Sequence, residues 1–126
     1  MMQGRVDQNC EATIRLVVGN LNSQRQVIDA VIDTGFTGFL TLPLTIITSL
    51  DLRLYGREEG TLGDGSICIF DVYSGLIIWD GEFRRIDVNA SETSPLLGMS
   101  LLYGYQMRLD GIEGGMVMIQ SLSSLN

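Results

Sequence analysis

The sequence predicts an all-β fold. Short segments rich in Val, Ile, Leu and aromatics recur along the 126 residues, Gly, Asn and Asp punctuate them, and no long run has helical periodicity. Strands are expected at Ala12–Val18, Gln26–Ile32, Phe39–Leu42, Ile67–Tyr73, Leu76–Trp79, Phe83–Val88, Tyr105–Leu109 and Met116–Ile119. Two connections read as short helices. Leu44–Leu50 follows Pro43, which suits a first helical turn, and its apolar residues recur at roughly helical spacing; Gly98–Tyr103 follows Ser94-Pro95 and carries Met99, Leu101 and Leu102. Asp64-Gly65 predicts a projecting hairpin over Leu62–Ser66 closed by a primed two-residue turn, because glycine tolerates positive φ. Asp80-Gly81 and Asp110-Gly111 are further chain reversals with no assigned chemistry.

Length and composition place the chain, residues 1–126, as one domain with a well-stocked core: hydrophobic residues make up 45% and charged residues 18%, values of a folded globular protein. Linkers and low-complexity segments are absent from the sequence.

Charge and residue types exclude several functions. The net charge is −7, and the eight basic residues, all Arg, are too scattered to form a phosphate-tracking stripe, so nucleic acid is not an expected partner. Histidine is absent, which removes Ser-His and Cys-His mechanisms and His-ligated metals. Chemistry must come from carboxylates, hydroxyls or thiols, and no metal or other cofactor is expected. Cys10 and Cys68 lack metal-ligand spacing, and Cys68 lies in Ile67-Cys68-Ile69-Phe70, where a buried free thiol is expected. No segment has the length to span a bilayer, and the first residues lack the apolar stretch of a signal peptide. A cytoplasmic protein without membrane partners is the expectation.

One residue conflicts with its surroundings. Asp33 ends Val27-Ile28-Asp29-Ala30-Val31-Ile32, and an ionised carboxylate at the end of an apolar strand is costly unless paired or functional. Asp33-Thr34-Gly35 taken alone also reads as an Asp-initiated turn closing the strand. Its context is more specific. Phe36-Thr37-Gly38 leads into Phe39-Leu40-Thr41-Leu42-Pro43, the Gly-rich hairpin comes next, and Pro95-Leu96-Leu97-Gly98 then runs into a short helix. This order resembles the retropepsin-like aspartic proteases (clan AA), especially the small stand-alone members of prokaryotes, and the resemblance extends from about the first strand to Met116-Val117-Met118-Ile119.

The resemblance implies an acid-protease fold with one or two short helices and an active site at a two-fold homodimer interface. Asp33 is then the single catalytic carboxylate of each chain. Thr34 bridges to the opposite chain, and Gly35 allows backbone to approach the carboxylate closely. Leu62, Gly63, Asp64 and Gly65 correspond to a flap over an extended peptide or protein substrate, and Leu96, Leu97 and Gly98 to the apolar-apolar-Gly element that packs behind the catalytic loop. Without the context of Asp33 these are an ordinary surface hairpin and a buried strand end. The chain also departs from the family: Phe36 replaces a small residue, Thr37-Gly38 replaces acidic residues found in viral members, and Met99 replaces an Arg. A catalytically silent dimerisation or peptide-binding module of the same fold is therefore the main rival to an endopeptidase. A sugar hydrolase needs two separately placed acids in one chain, and Asp29, Asp64, Asp71 and Asp80 suggest only turns and solvated strand faces.

Overall fold

A computed structural model describes residues 1–125. In chain order the elements are β1 (Met2–Val6), β2 (Ala12–Gly19), β3 (Arg25–Ile32), β4 (Leu40–Leu42), α1 (Leu44–Ser49), β5 (Arg53–Thr61), β6 (Ile67–Trp79), β7 (Glu82–Ala90), β8 (Leu96–Leu97), α2 (Met99–Leu102), β9 (Tyr105–Leu109) and β10 (Met116–Ser121), with a 3-10 turn at Leu122–Leu125. The strands form one sheet in the order β5-β6-β7-β4-β8-β3-β2-β1-β10-β9, folded back on itself by an added β2–β6 pairing. No helix among the described residues is long and apolar enough to cross a membrane.

The expected strands are all present, two of them fused, and the additions have physical reasons. β6 runs unbroken through Ser74-Gly75, where the sequence suggests two strands, because both residues stay in register with Asp87 and Ile86 of β7. β5 is not among the expected strands. Its sequence, Arg-Leu-Tyr-Gly-Arg-Glu-Glu-Gly-Thr, has no buried residue on either face, so it shows none of the alternation that marks a half-buried strand. β1 is a short terminal strand paired between β10 and β2.

The turns also differ from expectation. Leu62 N–H donates to Ser66 O at 2.8 Å and Gly65 N–H to Leu62 O at 2.9 Å, which leaves a three-residue loop, Gly63-Asp64-Gly65, with positive φ (85°) at Gly65 alone. The type I′ two-residue turn that Asp-Gly favours requires positive φ at both central residues, and that turn instead forms at Asp80-Gly81, with φ of 53° and 82° between the paired Trp79 and Glu82. Cys68 is likewise half-buried and free rather than buried. Its neighbours Ile67 and Ile69 are 70% and 64% exposed, because this end of the β5–β6 ribbon projects beyond the core.

The core lies where the sheet folds over itself. Leu40, Leu42, Val88, Leu97 and Leu101 have no exposed surface, and Ile14, Leu16, Ile28, Ile47 and Ile86 pack with them. Leu40 and Leu97 pair directly across β4 and β8. Burying each such leucine stabilises the fold by about 1.5–3 kcal/mol, which fixes these short strands despite their two and three residues.

Candidate functional site

The topology places Asp33. β8 lies between β3, to which it is parallel, and β4, to which it is antiparallel. The segment 33–39 that joins β3 to β4 must therefore arch over the end of β8. The arch is pinned from below at every turn: Asp33 N–H donates to Leu97 O at 2.9 Å, Gly98 N–H to Phe39 O at 3.0 Å, Met99 N–H to Phe36 O at 2.8 Å and Ser100 N–H to Gly38 O at 3.1 Å. Ser100 Oγ adds a bond to Thr37 O at 2.5 Å. The first N–H groups of a helix have no partner within it, and α2 supplies its own to the carbonyls of the arch. A helix of four residues thus serves as a clamp.

The strand below is held from its other side. Thr41, only 6% exposed, accepts the Leu96 N–H on its hydroxyl at 2.9 Å, so a buried polar side chain satisfies a donor that the short pairing with β4 leaves open.

Asp33 itself is half-buried, while Thr34 and Gly35 are exposed. Its carbonyl accepts from Phe36 N–H at 3.1 Å, which makes 33–36 a tight turn, and its Oδ1 accepts from Gly35 N–H at 2.9 Å. That N–H is the only donor to the carboxylate among the described residues, and the second oxygen is left for other partners. The carboxylate is thus oriented by its own turn and presented at the surface beside Thr34.

Phe36 occupies the middle of the arch. Its ring lies against Gly38 and Gly98, and a Cβ on Gly98 would overlap the ring as well as the carbonyl oxygens of Gly38 and Phe36. Gly98 has φ −104° and ψ −179°, ordinary extended backbone, so space rather than conformation demands glycine there. The bulk of Phe36 is accommodated by missing side chains at Gly38 of the same arch and at Gly98 beneath it.

Beside the arch opens a cleft of about 570 Å³. One wall is Gly35–Phe39, a second is Glu58–Thr61 of β5 with Phe70 of β6, and a third is β7 around Asp87 and Asn89. Asp87 is engaged: its Oδ1 accepts the Tyr55 hydroxyl at 2.6 Å and lies 3.2 Å from Arg85, whose guanidinium stacks 4.7 Å from the Tyr55 ring centre. Donation to Asp87 raises the Tyr55 pKa above its ordinary value.

The structure brings Gly35 to the cleft, while Asp33 and Thr34, which precede it on the arch, are not among the lining residues. It does not bring Leu62, Gly63, Asp64 and Gly65 there; they sit exposed at the hairpin tip beyond the lining residues Glu58–Thr61. At the tip, Asp64 Oδ1 accepts both Ser66 N–H (2.9 Å) and Ser66 Oγ–H (2.6 Å), and these bonds lower the Asp64 pKa. Leu96, Leu97 and Gly98 lie directly under the arch. Glu58, Phe70, Asp87 and Asn89 escape the sequence reasoning. The available signal is the hairpin: β6 requires an antiparallel partner ahead of the tip, which puts residues 53–61 on the ribbon.

No family model and no curated protein matches the sequence. Among solved structures, the chain is similar to the crystal structure of a retropepsin-like aspartic protease from Rickettsia conorii, with a TM-score of 0.61, 18% sequence identity, and coverage of 95% of this chain and 90% of that one.

Proposed function

We propose that this chain, which has the retropepsin-like fold, is one half of a homodimeric aspartic endopeptidase in which Asp33 of two copies forms the catalytic pair. The observation that carries the proposal is the placement of Asp33: a half-buried carboxylate, clamped at its backbone by Leu97 and oriented by Gly35, stands beside exposed Thr34 and Gly35 with no second carboxylate bonded to it among the described residues. One such group cannot act as both acid and base in a single step. A second copy related by a two-fold axis supplies the other, since an isologous contact puts each residue opposite its own image.

Two carboxylates roughly 3 Å apart resist double ionisation and share one proton. The ionised member removes a proton from a water held between them as that water attacks the peptide carbonyl; the protonated member donates to the carbonyl oxygen, and a proton then passes to the leaving amine. The exposure of Thr34 next to Asp33 supports its hydroxyl as the bridge to the other copy. The hairpin carrying Leu62, Gly63, Asp64 and Gly65 closes over an extended peptide and contributes backbone hydrogen bonds. Leu96, Leu97 and Gly98 keep the arch rigid beneath it.

Turnover of a broad peptide library by the chain and by Asp33→Asn tests the proposal. Cleavage that falls by at least about 10³-fold in the variant is expected for loss of a general acid–base pair. Equal cleavage by the variant would contradict it, and a dimer that binds peptide without cleaving it would identify a silent module.

A further inference from the structure

The cleft beside the arch is acidic and aromatic and has no basic residue in its lining. Its carboxylates are not equivalent. Asp87 already has Tyr55 and Arg85 as partners, whereas Glu58 and Glu59 make no salt bridge and no side-chain hydrogen bond among the described residues, and Glu59 alternates to the face of β5 opposite Glu58. Strand geometry decides which way Glu58 faces. Glu58 pairs with Phe70, and the Phe70 ring covers Gly60, two residues along β5, so Glu58, Gly60 and Phe70 share one face of the ribbon. That is the face carrying the Phe70 ring that lines the cleft. Arg57, on the opposite face, is taken up by Asp71 across the strands at 3.2 Å, so the nearest cation on β5 is directed away from Glu58.

An unpaired carboxylate beside aromatic faces suits a cationic guest. The carboxylate supplies charge, the negative ring faces supply a second attraction, and both strengthen as the guest leaves water. The chain uses the same chemistry internally, with Arg25 stacked 4.8 Å from the Phe83 ring centre and Arg84 5.4 Å from that of Phe39. We infer that Glu58, with Phe70 and Phe36, forms a subsite for an Arg or Lys side chain of a bound peptide. Glu58 and Phe70 line one wall of the cleft and Phe36 the wall that also carries Gly35, so the subsite spans the cleft, and the inference rests on the cleft being where a peptide binds. The net charge of −7 draws basic peptides toward it.

Retention of a randomised peptide library by the Asp33→Asn chain tests this without requiring turnover. Arg and Lys should be enriched at one position by about tenfold, the combined effect of one partly exposed ion pair and one ring contact. Glu58→Gln should remove the enrichment and Glu58→Lys should reverse it toward Asp and Glu, with far-ultraviolet circular dichroism verifying that both variants fold. The same enrichment in Glu58→Gln, or none in the Asp33→Asn chain, would overturn the inference. Cleavage of the library by the unsubstituted chain is scored separately. Cleavage without basic preference removes the subsite and keeps the protease; basic retention without cleavage does the opposite.

Discussion

Asp33 and Leu97 are joined by a 2.9 Å hydrogen bond from the backbone N–H of one to the carbonyl of the other, at the point where β3 and β8 end side by side. The apolar strand that delivers the carboxylate and the apolar-apolar-Gly element that supports it are thus one structural unit. The residues after Leu97 are as constrained as those after Asp33.

Gly98→Ala should destabilise the chain by about 3 kcal/mol, at the upper end of the overpacking range, because the new methyl group meets two backbone carbonyls and the Phe36 ring rather than a flexible side-chain end. Guanidinium unfolding measures it. A loss below about 1 kcal/mol would mean that the arch lifts off β8 without cost.

The hairpin tip should respond to acid. The Asp64 carboxylate has its pKa lowered by donation from Ser66, so the ordering it gives the tip is fully present above the ordinary aspartate range and is lost as pH falls through the depressed folded value. Titration of the Asp64 carboxyl carbon and the Ser66 amide by NMR should give one shared midpoint below that of an unstructured aspartate. Asp64→Asn should remove the acid transition of the Ser66 amide. An ordinary midpoint would show that the two bonds are not kept in solution.

Thr34→Ala should weaken self-association by about tenfold, the effect of about 1.4 kcal/mol from hydrogen bonds across the two-fold axis, while leaving the melting temperature of the subunit nearly unchanged because Thr34 is exposed. Sedimentation over a concentration series reads both species. Unchanged association would remove Thr34 from the interface.

Much of the fold and part of the candidate site are legible in the sequence, for physical reasons. Asp33 stands out because a carboxylate ends a run of apolar residues, and Leu96-Leu97-Gly98 because two large side chains next to a glycine suit a tightly packed strand end. The packing of Gly98 against Gly38 and Phe36 gives that glycine its reason, which no local pattern contains. β5 is illegible because neither of its faces is buried, so hydrophobic periodicity has nothing to report. The cleft wall it forms, with Glu58 and Phe70, is missed with it. The turn at residues 62–66 differs from expectation because Asp-Gly favours a primed turn only when two residues separate the paired positions; Asp80-Gly81 meets that condition and Asp64-Gly65 does not. The burial expected for Cys68 fails for a related reason: Ile67 and Ile69 look like core residues but lie on a ribbon that extends past the core.

Mixing the active chain with Asp33→Asn at fixed total concentration tests the paired-carboxylate claim most directly. If two copies each supply one essential carboxylate and mixed dimers are inert, activity varies as the square of the active fraction, and an equal mixture retains about one quarter of the starting rate. A linear decline, with about one half remaining, would mean that each chain works alone and that Asp33 does not require its twin.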